Sequence, residues 1–120
     1  MENKWQAIDR FWNSFGIPAY DESSVPQGAT MPYITYHAEV ASFEEPVLLT
    51  ASIWYRDTSW EAISLKADEI YDLLDEYAIF KVRGGYIFMN KGTPFAQRLA
   101  DEDDSVRRVI INIEAEFFMK

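Results

Sequence analysis

The sequence predicts an α+β fold: a mainly antiparallel β-sheet with two helices packed on one face. Three observations predict it. Apolar residues recur at spacings of three and four near the N-terminus and again over 58–77, the period of a helix with one buried face. Apolar and polar residues alternate over 33–40, 47–56 and 106–119, the period of a half-buried strand. Only a short turn, Ser42-Phe43-Glu44-Glu45-Pro46, separates the first two of these runs, so they should pair as an antiparallel hairpin.

The chain has 120 residues, which predicts one domain over 1–120 with a radius of gyration of roughly 14 Å. It has no cysteine, which excludes disulfides, thiolate zinc sites and cysteine nucleophiles. Eleven basic residues stand against 20 acidic ones, a net charge of −9. The basic residues are scattered, and Arg107-Arg108 is the only adjacent pair, so no general grip on phosphates is expected. No apolar run approaches the ~18 residues of a membrane span, and Met1-Glu2-Asn3-Lys4-Trp5 does not open a signal peptide. A soluble acidic domain with no membrane partner is expected.

Taken in order, the first helix is read from Trp5, Ile8, Trp12 and Phe15 on one face, ended by Gly16 and Pro18. Residues 18–32 carry Pro18, Ser23, Ser24, Pro26, Gly28 and Pro32 and read as an irregular, mobile connector. In the first strand Ile34, Tyr36, Ala38 and Val40 share a face; in the second, Val47, Leu49, Ala51, Ile53 and Tyr55 do. Thr58-Ser59-Trp60-Glu61 reads as a capping box opening the second helix. Trp60, Ile63, Ala67, Ile70, Leu74 and Tyr77 form its stripe, widened by Leu73. A short hairpin or irregular strand follows over 80–89. Residues 90–94 should break it, and 95–99 should make one helical turn before the acidic loop 101–104. The final strand presents Val109, Ile111, Ile113, Ala115 and Phe117 on one side and Arg108, Asn112, Glu114 and Glu116 on the other.

No catalytic constellation is visible. His37 is the lone histidine, placed mid-strand beside Thr35 and Glu39 with no partner at a recognisable ligand or general-base spacing. The acidic run 101–104 lacks the alternating ligands, central glycine and terminal glutamate of an EF-hand. Gly84, Gly85 and Gly92 are wrongly spaced for a phosphate loop, and no Gly-x-Ser-x-Gly elbow occurs. No enzyme activity, metal or cofactor is expected.

In arrangement, the chain resembles the tail-terminator (tail-completion) proteins of long-tailed bacteriophages. The likeness rests on Met31-Pro32-Tyr33-Ile34-Thr35-Tyr36 opening a strand, then Leu49-Thr50-Ala51-Ser52-Ile53-Trp54-Tyr55-Arg56 and the helix over 58–77. Lys91-Gly92-Thr93-Pro94-Phe95 and a closing strand after Arg107-Arg108 complete it. The resemblance implies a structural virion protein without enzyme activity. It would form a ring, commonly a hexamer, on the head-proximal end of the tail tube, ending polymerisation and joining the tail to the head connector. The partners so implied are the chain itself, the tail tube protein and the connector or head-closure protein, with DNA only as passing cargo. Tyr33, Trp54, Arg56, Arg107 and Arg108 are the candidate subunit-interface residues. The alternatives are another neck protein such as a head-closure factor, or an acidic inhibitor that mimics DNA.

Overall fold

A computed structural model describes residues 1–37 and 45–120. Helix α1 (Lys4–Trp12) opens the chain and runs into a 3₁₀ turn (Asn13–Phe15). Strands β1 (Ala19–Asp21), β2 (Tyr33–Tyr36) and β3 (Val47–Arg56) follow, then α2 (Glu61–Leu73), β4 (Ala78–Val82), β5 (Gly85–Leu99) and β6 (Val106–Met119). The six strands form one sheet in the order β1-β2-β3-β6-β5-β4. Every neighbouring pair is antiparallel except β1 with β2. This is the expected α+β architecture, with both helices on the face that holds the core.

That core is where the matched stripes predicted it. Ile63, Ile70 and Leu74 of the α2 segment are fully buried with Leu49, Ile53, Ile111 and Ile113 of the sheet. Along β3 and β6 the alternation holds: Leu49, Ala51 and Ile53 are buried while Leu48 is exposed. The α1 stripe is shifted from its expected setting. Ala7, Ile8, Phe11, Trp12 and Phe15 are buried, whereas Trp5 lies at the stripe's margin in the first turn and is 44% exposed. Asn3 caps this helix reciprocally, taking the Gln6 N–H at 2.9 Å while the Gln6 side chain takes the Asn3 N–H.

Other expectations need correction. The Thr58–Glu61 capping box does not form: α2 begins at Glu61, and Ser59 Oγ, not Thr58, accepts the Glu61 N–H at 3.1 Å. Arg107 Nη2 holds the Thr58 carbonyl at 2.6 Å and the Asp57 N–H bonds the Ser105 carbonyl, so 57–58 belong to the sheet's end. The helix also stops at Leu73 instead of 77; Tyr77 beyond it and Leu73 at its end are about half exposed. Residues 95–99 are not a helical turn. They continue β5, because β6 offers Ala96–Leu99 a complete antiparallel ladder opposite Arg108–Ile111.

Residues 90–94 therefore bulge the strand without breaking it: the register moves from Lys91 opposite Ile113 to Ala96 opposite Ile111. Gly92 permits this because a Cβ there would lie 2.8 Å from the Asn112 carbonyl oxygen. The connector differs as well. It is not irregular from residue 18, since Ala19–Asp21 add to β2 as a short parallel strand. The expected extension of β2 to Val40 and the turn through Ser42 and Glu44 lie outside the described residues.

Tyr36 ties the helix layer to the sheet: it is buried, stacks on Trp12 at 6.5 Å, and donates its hydroxyl to Asp9 at 2.5 Å. Burial, then the Asp9 carboxylate, pushes its pKa well above the usual value of about 10. Below that pH both folded and unfolded chains keep the proton, so the group adds no pH dependence. Above it the unfolded chain releases the proton and the folded one does not, so stability should fall as pH rises. Urea unfolding midpoints between pH 9 and 11 should drop for the wild type and drop less steeply for Tyr36→Phe. Parallel slopes would refute the assignment.

Candidate functional site

The two helices cover one face of the sheet and leave the other open. On the open face the ladder sets residues in rows. Tyr33 lies opposite Trp54, Trp54 opposite Arg108, and Arg108 opposite Leu99, so one row crosses β2, β3, β6 and β5. The adjacent row is Thr35, Ser52, Ile110 and Gln97. Three of the five sequence-predicted interface residues, Tyr33, Trp54 and Arg108, are thus brought together.

Their contacts fix them. The Arg108 guanidinium lies 4.6 Å from the Trp54 ring centroid, and its Nε donates to Ser52 Oγ at 3.0 Å. Trp54 Nε1 donates to Thr35 Oγ1 at 2.9 Å. Tyr33 packs edge-on against Tyr20 at 6.0 Å. Beside this row a shallow groove of about 180 Å³ is lined by Glu22, His37, Thr50, Ser52 and Arg108 among others. His37 Nδ1 meets Glu22 Oε1 there, which ties the end of β2 to the connector. Further along, Thr50 donates to Asn112 at 3.1 Å and Asn112 donates to the Pro94 carbonyl at 3.0 Å, so buried Asn112 anchors the β5 bulge.

The other two predicted residues, Arg56 and Arg107, contact the loop that precedes β6. Arg107 falls on the helix side by strand alternation. It donates to the Thr58 and Asp104 carbonyls at 2.6 and 2.9 Å, and its guanidinium sits 5.2 Å from the Trp60 centroid. Arg56 donates to Ser105 Oγ at 3.0 Å and lies 3.4 Å from Asp103. The Ser105 hydroxyl and N–H hold the Asp103 carboxyl below the usual range, with Arg56 a smaller cause. These contacts lock the acidic loop onto the end of β3.

Sequence reasoning missed the apolar end of the same face. Tyr86 pairs with Phe118, and Ile79 with Phe88, on strands β4 to β6; Ile79, Tyr86 and Phe118 are each about half exposed. Leu48 adds to the exposed apolar surface of this face from β3. The signal was present in the alternation of Tyr86 and Phe88 with buried Ile87 and Met89. Among the described residues no group of three or more His, Asp or Glu could hold a metal ion. No helix among them is long and apolar enough to cross a membrane. No family model matches the chain, and no curated protein matches it.

Proposed function

We propose that this chain is a structural subunit of a long-tailed bacteriophage. It assembles as a homo-oligomeric ring at the head-proximal end of the tail tube, stops tube polymerisation and joins the tail to the head connector. The observation that carries this reading is the open sheet face, where an aromatic-basic row (Tyr33, Trp54, Arg108) and exposed Leu48, Ile79, Tyr86 and Phe118 stand without cover in a small α+β domain. Support also comes from the order of elements, which follows the arrangement on which the resemblance rests. A ring needs two different patches that meet head to tail, and the two ends of this face differ in that way. The net charge of −9 suits a conduit through which DNA passes without sticking.

Removing the gene should yield overlong, headless tail tubes, counted by electron microscopy; tails of normal length joined to heads would refute the proposal. Tyr33→Ala and Trp54→Ala should each weaken assembly by about tenfold or more while leaving the circular dichroism of the monomer unchanged. Assembly at wild-type concentration by both variants would remove this row from the interface.

A further inference from the structure

Strand β5 is paired on both sides only over part of its length. β4 covers it at Gly85–Met89, and beyond that point no strand of the described residues lies on its outer side, so 96–99 form an open edge. All four of those residues are exposed. An open edge offers unpaired N–H and C=O groups to another extended chain. Beside it, between α2 and β5, is a groove of about 190 Å³ lined by Ser64, Ala67, Asp68, Ala96, Arg98 and Val109. Its small side chains leave room for an apolar side chain from a strand laid along the edge.

The opposite end of the sheet differs. The outer edge of β1 is already capped: Asn13 Oδ1 accepts the Ala19 N–H at 2.9 Å, and the Ser24 N–H donates to the Asp21 carbonyl at 2.9 Å. Sheet cannot simply continue through β1. The connector after it, 22–32, is mostly exposed and carries apolar Val25, Ala29 and Met31.

Charge separates the two ends. Residues 19–32 hold Asp21 and Glu22 and no Lys or Arg, while 90–100 hold Lys91 and Arg98 and no Asp or Glu. Lys91 is engaged by Asp75 and the Tyr71 ring. Arg98 is not balanced in this way: with Arg107 it shares the Trp60 ring, at 4.8 and 5.2 Å, two cations on one aromatic.

We propose that the connector of a second copy, residues 22–32, lies along the open edge of β5 over 96–99, with one of its apolar side chains in the α2–β5 groove and its acidic start facing Arg98. This rests on the self-assembly reading above and names the surfaces it uses. Because the two elements lie at opposite ends of the sheet, the contact passes head to tail from copy to copy.

The absence of cysteine makes the test clean. Ser24→Cys and Gln97→Cys chains, mixed and treated with a short bis-maleimide, should give a cross-linked heterodimer that neither chain gives alone. Arg98→Glu in the Gln97→Cys chain should lower the yield about tenfold, and Glu22→Lys in the other should restore it. Sedimentation of the wild type, with and without tube protein, is read in parallel. Association of the wild type with no mixed cross-link would overturn this contact and leave self-assembly standing. A wild type monomeric in both conditions, with no cross-link, would overturn both.

Discussion

Alanine at Trp12 is expected to cost about 3–5 kcal/mol of stability. Trp12 is fully buried, meets Phe11 edge-on at 4.9 Å and stacks with Tyr36 at 6.5 Å, so it joins α1 to the β2 end of the sheet. Its removal leaves a cavity between Phe11 and Tyr36, the two rings that pack on it. A second comparison sharpens the test. Trp12 Nε1 is buried without a hydrogen-bond partner, and such a donor costs about 1–3 kcal/mol. Trp12→Phe removes that donor along with some volume, so it should lose clearly less than Trp12→Ala. Urea unfolding with an unchanged m-value gives both numbers. Equal losses, or less than about 1 kcal/mol for alanine, would contradict the packing described.

Ile70→Ala should cost about 2–5 kcal/mol. Ile70 is fully buried in the α2 stripe, with Ile63 two turns before it and Leu74 one turn after. Leu73 lies three positions along the same helix yet is 48% exposed, so Leu73→Ala should change stability by under about half a kcal/mol. The pair controls for helix propensity, since both sites sit near the helix end and gain alanine. Similar losses at the two positions would mean that α2 is rotated from the orientation described.

Why some of this was legible follows from where each residue finds its partner. Val47–Arg56 and Val106–Met119 read correctly because each is long, alternating and buried on one face, so its period survives in the sequence. The buried Ile63, Ile70 and Leu74 read correctly for the same reason. The helical turn expected over 95–99 was wrong because local propensity says nothing of a distant ladder: β6 supplies the hydrogen bonds that make it strand. The capping box at Thr58 failed similarly, as Arg107, 49 residues away, takes the Thr58 carbonyl. Trp5 was misplaced because a stripe's edge is set by what packs against it, not by spacing alone.

The site was legible in part. Tyr33 and Trp54 stood out as aromatics on the polar side of their strands, and the ladder sets them opposite each other with Arg108 next in line. Arg56 and Arg107 look the same in sequence as Arg108, yet both are spent on the loop that precedes β6. Only their partners distinguish them, and those partners come from elsewhere in the chain. The open edge at 96–99 has no signature in the sequence, because only pairing with distant β6 makes the segment a strand.

The central claim is that the protein caps a growing tube as a ring of its own copies. Purified chain added to polymerising tube protein, viewed by negative-stain electron microscopy with the bound mass measured, tests it most directly. The account predicts tubes that stop growing, each with a closed ring of this chain at one end only. Tubes that lengthen as they do without it, with the chain left monomeric in the supernatant, would contradict it.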